Sequence, residues 1–396
     1  MRPVRYIAAA LPLTCRVPAL AAATGLALLL LLLASALQNK PPPPPLRVRD
    51  AAADALYLRA TVTHVLGAPV CTSGSGGSNG CSGALEFVRY TPASLEVTWS
   101  ALAPDFAGYE CAQIVKEKAL WQSQLEGIRA GGAGGGNSGS NAEATWSIIT
   151  YRDAAAGTEV NVKLEPLAGI MRDPRPVCTE LSLTPSSSDR GIDSRDFNLL
   201  DAAFYASVAS KLAAPALSAS PLPMRALLFD LGATRWDPEL VTGFRWTVES
   251  YERLGITFDA IFAWEARPTA TMAFFGPMPL RLASRTHLFN VPVARPGSGG
   301  VADALAVLRE TARPQDFVVF KLDIDADALE EEIALALLQD DALAACIDDF
   351  YFEHHSDTHG AMDNLGWGSG LRRSLHESIQ LFQAFRKRGI RAHSWP

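Results

Sequence analysis

From residue 224 to the C-terminus, short apolar runs alternate with stretches of helical periodicity, and this restricts the second half of the chain to very few architectures. RALLF at 225–229 is a strand closed by Asp230 and Gly232. Asp237 and Pro238 then read as N-cap and first helical position, with Leu240, Val241, Phe244, Val248 and Tyr251 at helical spacing and Gly255 as the stop. DAIFAWEA is a second strand ending in Glu265, and HLFNVPV at 287–293 a third. A helix fits 302–312, FVVFKL follows as the fourth strand, and Asp327 with Glu330 forms an N-cap and N3 pair for the next helix. DDFYFEHH at 348–355 is a fifth strand, a helix spans 372–387, and GIRAHSWP supplies a last strand. Strands alternating with helices specify an α/β fold, a parallel sheet with helices on both faces.

Parallel sheets of this kind bind ligands beyond the carboxyl ends of their strands. Those ends carry Asp230 and Gly232, then Glu265, then Asp323 with Asp325, then Glu353, His354 and His355. Lys321 sits inside an apolar run, where an unpaired charge is costly, so it is expected to pair with Asp323 or to extend its ammonium to water. Titratable groups therefore gather on one rim.

FDLGA, AWEA, FVVFKLDID and IDDFYFEHH resemble the FkbM-type branch of S-adenosylmethionine-dependent methyltransferases, over about residues 225–356. The resemblance implies a Rossmann-like, methyltransferase-type sheet, S-adenosylmethionine as cofactor and methyl transfer to an oxygen of a glycan or small molecule. It implies that Asp230, Gly232 and Glu265 bind the cofactor: Gly232 by letting backbone approach, Asp230 by orienting the turn or the cofactor's amino group, Glu265 by accepting from ribose hydroxyls. Lys321 and Asp323 would line the acceptor side, and Asp323 or His354 would accept the proton of an attacking hydroxyl. After DLGA the chain runs TRWDPEL without a further glycine, which puts Arg235 and Trp236 beside the expected site.

A different class competes. LDID is a D-x-D run, and carboxylates at i and i+2 share a side of a strand. With His355 and His359, Asp323 and Asp325 supply ligands suited to Mn²⁺ or Mg²⁺, as in a metal-dependent Golgi glycosyltransferase. A catalytically degenerate scaffold of the same fold is the third alternative. Asp327 and Glu330 to Glu332 are expected to serve the helix dipole rather than a ligand, and His64, His287, His376 and His393 stand alone as ordinary histidines. No H-E-x-x-H helix occurs, which leaves a zinc-protease class without support.

Before residue 214 the pattern changes to period-two alternation in LEFVRY, SLEVTWSAL, TWSIITYRD and TEVNVKLEPL, which predicts short antiparallel strands. Residues 51–213 are thus a β-rich module, with a Gly/Ser/Asn-rich loop at 127–144 and a closing helix around 199–212. APALSASPLP at 214–223 is the linker to a domain of 224–396.

Upstream, 17–37 is a run of 21 uncharged residues preceded by Arg2, Arg5 and Arg16. It is long enough to span a bilayer, and the basic flank places a tail of 1–16 in the cytoplasm and the rest in a lumen. Ala34-Ser35-Ala36 would alternatively serve cleavage of a secretory signal, and a transit peptide is the remaining option. Five prolines within 38–50 form an extended stem. The layout is that of a type II membrane protein of the secretory pathway, as in the Golgi; a cleaved signal would make it secreted. The lumenal cysteines can form disulfides, with Cys71 and Cys81 the favoured pair and Cys346 a buried thiol. A net charge of −7 without a basic face argues against nucleic acid as a partner.

Overall fold

The computed structural model describes residues 85–94, 96–97, 146–153, 156–167, 195, 198–199, 201–213, 223–355 and 375–395. All lie in one compact unit, Ala51–Pro396. The segment 17–37, the stem, Cys71, Cys81, the loop 127–144 and His359 lie outside the described residues. Among the described residues no helix is long and apolar enough to cross a membrane.

The second half builds a six-stranded sheet from β4 (Ala226–Leu231), β5 (Ala260–Trp264), β6 (Thr286–Phe289), β7 (Phe317–Leu322), β8 (Asp349–Phe352) and β9 (Arg391–Ser394). Its order is β6-β5-β4-β7-β8-β9, and every pairing is parallel. Every residue of β4, β5, β7 and β8 is buried. That is why these runs are almost unbroken in their hydrophobicity: both faces of a parallel sheet are covered.

Alternation along the strands sorts side chains between two cores. Leu227, Phe229, Phe262, Val318, Phe320 and Phe350 face one side, where α5 (Ala304–Thr311), α6 (Asp327–Gln339), α7 (Asp341–Ala344) and α8 (Leu375–Arg386) pack. Phe229 stacks there between Phe262 at 4.9 Å and Phe320 at 5.9 Å. Burying one such ring contributes about 1.5–3 kcal/mol. Ala226, Leu228, Ile261, Ala263 and Val319 face the other side. There they meet α1 (Ala202–Ala213), α2 (Gly243–Arg253), Phe274 of α3 (Thr271–Phe275) and Leu282 of α4 (Leu280–Ala283). The connections of the β4–β6 half thus cover one face and those of the β7–β9 half the other. The strand order reverses between β4 and β7, the topological switch point where such sheets take ligands.

The same second face carries the N-terminal strands β1 (Leu85–Thr91), β2 (Ser147–Asp153) and β3 (Thr158–Leu164), an antiparallel sheet in that order. Ile149, Tyr151, Val162 and Leu164 enter the core shared with α1 and the large sheet. The alternation in SLEVTWSAL does not make a strand where it is described: Ser94, Glu96 and Val97 are helical, with the Val97 amide donating to Ala93 O at 3.0 Å. Glu96 turns inward, where Ser147 Oγ and the Leu167 amide donate to its carboxylate, and a local turn satisfies it better than a strand.

The helix predicted from Asp237 begins instead at Gly243, with Thr242 as N-cap accepting from the Arg245 amide. Asp237 still accepts from the Glu239 and Leu240 amides, so it makes a local turn that imitates a cap. Leu240 and Val241 are exposed, and their helical spacing is coincidental. Gly255 does stop the helix: φ is +83°, and its amide donates to Glu252 O while that of Ile256 returns to Tyr251 O. Cys346 is half-buried against the first core.

Candidate functional site at the carboxyl edge of the sheet

Register decides which side chains share a face. Ala263, Asp230, Lys321, Tyr351 and His393 are neighbours across β5, β4, β7, β8 and β9 and form one row on the second face. The next row on that face lies just past the strand ends: Glu265, Gly232, Asp323, Glu353 and Trp395. Ladder bonds still hold it, from Glu265 N to Phe289 O, Asp323 N to Leu231 O, Glu353 N to Leu322 O and Trp395 N to Phe352 O at 2.9–3.2 Å. The switch point runs between Gly232 and Asp323.

Lys321 is fully paired. Its Nζ lies 3.2 Å from Asp230 Oδ1 and 2.6 Å from Asp323 Oδ2. Burial disfavours the ammonium, but these two carboxylates outweigh it and hold the lysine above its ordinary pKa. The two acids are treated unequally. Burial pushes Asp230 up despite Lys321, and its Oδ2 is buried without a hydrogen-bond partner. Asp323 feels burial too, yet the closer ammonium and the Trp395 Nε1–H donating at 3.0 Å keep it below the usual carboxylate range.

Gly232 has φ +88°, and a Cβ there would lie 1.4 Å from the Asp323 main-chain oxygen. Contact between two strand tips alone therefore demands the glycine. The amides of Gly232 and Ala233 both donate to Trp264 O, so these two N–H groups are not offered to a ligand. Trp236 is buried and packs edge-on against Phe244, while Arg235 is exposed. Glu265 is half-buried, and its Oε1 accepts from the Arg267 amide at 2.7 Å.

A second cluster lies beyond β7 and β8. His355 Nδ1 is 2.7 Å from Asp327 Oδ1, and its Nε2 is 3.4 Å from Glu353 Oε1. Burial opposes the imidazolium, but Glu353 and Asp327 raise the His355 pKa to about 9. Burial lifts Glu353 to about 7, helped by the neighbouring Asp323 carboxyl and offset by His355. Burial also lifts Glu330 to about 8, although the Ile324 amide donates to its Oε1 at 2.7 Å. Asp325 stands between these groups in the left-handed region, φ +54°, which Asp tolerates better than most residues.

Two sets could hold a cation: Asp325, Glu353 and His355, or Asp327, Glu330 and His355, with ligand atoms within 4.8 Å of one another. Carboxylate oxygens with one imidazole suit Mn²⁺ or Mg²⁺. Asp325 and His355 of the expected set thus belong together, Glu353 joins them, and Asp323 is turned to Lys321 and Trp395. The capping pair is corrected as well. Ala326 is the N-cap with no side-chain bond, Asp327 reaches His355, and Glu330 reaches back to Ile324.

His354 is not brought to Asp323. Its Nδ1 lies 2.8 Å from Ser378 Oγ on α8 and its ring 4.9 Å from Phe352, on the opposite face. His393 is not an ordinary isolated histidine: it is completely buried, stacked on Tyr351 at 4.9 Å with Nδ1 3.1 Å from both Glu165 oxygens. The partnership of Glu353 and Trp395 with Asp323 was accessible in principle from strand alternation, since all three occupy equivalent positions past their strands.

No model of a known protein family, no curated protein and no solved structure matches this chain.

Proposed function

We propose that the chain is a methyltransferase of the S-adenosylmethionine-dependent type, anchored in a secretory-pathway membrane and transferring a methyl group to a hydroxyl of a glycan or small molecule. The observation that carries this proposal is the row of Glu265, Gly232, Asp323 and Glu353 across the switch point, continuous from one half of the sheet to the other. Glu265, half-buried past the end of β5, would accept from sugar hydroxyls, and Asp230, fully buried, would act only indirectly, by holding Lys321. The chain's carboxylates, rather than its amides, would hold the cofactor, because the turn amides are spent on Trp264. The cofactor supplies a sulfonium-bound methyl group. Asp323, held below the usual carboxylate range and partly open to solvent, would take the proton of the acceptor hydroxyl. Lys321 keeps that carboxylate in place. Alignment supplies most of the rate, so few reacting groups are needed.

The cation set Asp325, Glu353 and His355 favours a second proposal, a metal-dependent glycosyltransferase. Calorimetric titration of the full chain in detergent separates the two. Heat with S-adenosylmethionine that disappears in Glu265→Ala supports methyl transfer. Heat only with Mn²⁺ and a nucleotide sugar, lost in His355→Ala, replaces it with glycosyl transfer, and no heat in either titration removes both.

A further inference from the structure

β9 is an edge strand of the large sheet, and Trp395, the residue just past its end, touches Asp323. An edge strand with one paired side is the easiest part of a sheet to displace. Here the N-terminal module holds it at several points, mostly through the side chains β9 turns to the second face. Tyr151 of β2 donates its hydroxyl hydrogen to Gly389 O at 2.8 Å, and Arg391 Nη1 donates to the same hydroxyl oxygen at 3.2 Å. Phe87 of β1 lies so close that a Cβ on Gly389 would sit 2.8 Å from it. Glu165, just past β3, binds His393, and its carboxylate and carbonyl receive Arg386 of α8 at 2.7 and 2.8 Å. Asn198 Nδ2 reaches Ser394 O at 3.4 Å, and Arg195 lies over the Trp395 ring at 5.4 Å.

Beyond the grip, the Trp395 indole donates to Asp323 Oδ2 and lies 5.2 Å from Lys321 Nζ. Its Cζ2 would stand 3.0 Å from a Cβ on Gly243, so the glycine that opens α2 leaves room for it. Trp246 packs edge-on against the same ring at 5.3 Å. The indole therefore has one seat, and the module, α2 and the lysine define it.

We propose that the N-terminal β-module clamps β9 and through it places the Trp395 indole on the Asp323 carboxylate, making Trp395 a positioning residue of the acceptor side and Glu165 and Tyr151 its remote supports. This deepens the proposed function and rests on Asp323 serving the transfer. The module thereby acquires a role: through β9 it fixes the Asp323 oxygen that accepts from the Trp395 indole. A neutral donor on the carboxylate also restrains it without removing its charge, as a second cation would.

The test follows the Trp395 indole N–H in the full chain labelled with ¹⁵N-tryptophan. Of the eight tryptophan signals, Trp395→Phe identifies the relevant one. Asp323→Asn shifts it directly. Tyr151→Phe and Glu165→Gln, which touch β9 and not Asp323, also shift or broaden it. A Tyr151→Phe protein that melts earlier but leaves the Trp395 signal in place overturns the clamp. Should Glu165→Gln fail to fold, Tyr151→Phe decides alone. If S-adenosylmethionine has no effect on the unsubstituted chain, the methyltransferase proposal falls, while the indole shifts still decide the clamp.

Discussion

Two polar regions lie on the same face of the same strands and are built on opposite rules. In the interior, Arg391 Nε donates to Asp349 Oδ1 at 2.6 Å, Tyr251 and Tyr205 close on the same carboxylate, and Tyr151, His393, Glu165 and Arg386 continue the chain of contacts. Arg391 also lies 4.5 Å from the Phe204 ring. Burial alone would neutralise Asp349, but Arg391 and His393 hold it below its usual range. At the rim, Glu353 and Glu330 are pushed upward by burial and share with Asp327 the one imidazole of His355, and Asp230 keeps an orphan oxygen. A buried charge is tolerable only when paired, and the interior acids Asp349 and Glu165 each face a cation, although Arg391 Nη2 and His393 Nε2 lack a hydrogen-bond partner. The rim leaves like charges crowded together. That is a cost stability gives no reason to accept and a ligand or a reaction does.

The contrast can be broken most forcefully inside. Arg391→Ala removes the cation from Asp349 in the core and is expected to lose about 3–5 kcal/mol in urea unfolding; a loss below about 1 kcal/mol would show the network to be ornamental. Gly232→Ala tests whether the rim, though electrostatically strained, is rigid in its backbone. The added methyl meets Asp323 main chain at a left-handed φ, and a loss of about 2–4 kcal/mol is expected by the same measurement.

The third and smallest effect is in the pH dependence. Asp349, with its pKa depressed, contributes stability that is present above the unfolded pKa and lost as pH falls through the folded one. Glu353 and Glu330, raised to about 7 and about 8, bind protons more tightly folded than unfolded, so their contribution is lost as pH rises from about 4.5 through those values. His355, raised to about 9, contributes below about 6.5 and loses that contribution as pH climbs to about 9. Asp349 in the interior and the Glu353–Glu330 pair at the rim therefore fail at opposite ends of the scale. Glu353→Gln with Glu330→Gln should flatten the alkaline decline in melting temperature and leave the acid limb unchanged; an unaltered alkaline limb would mean the rim acids titrate normally.

Much of this was legible in the chain. The tips of four parallel strands were marked by Asp230, Glu265, Asp323 and Glu353 because an apolar run that ends in a carboxylate is a local pattern. Lys321 announced a partner because a lysine in a buried strand requires one. The misreadings have local causes too. Asp237 makes the bonds of a helix cap without a helix, and Glu96 leaves its strand pattern to satisfy Ser147 and Leu167. His354 shares the sequence EHH with a rim residue, yet strand alternation sends it to the opposite face, against Ser378.

The sequence by itself determined the alternation of strand and helix from residue 224 onward, the polar closure of those strands, and the change to antiparallel pattern before 214. These depend on side-chain period over a few residues, which the chain carries wherever it folds. Only the tertiary structure decided that β4 and β7 are neighbours, that Lys321 is shared by Asp230 and Asp323, that Asp327 serves His355 instead of its helix, and that Glu165 finds His393. Each of those depends on register between segments far apart in the chain, and register is set by how the whole sheet buries both its faces.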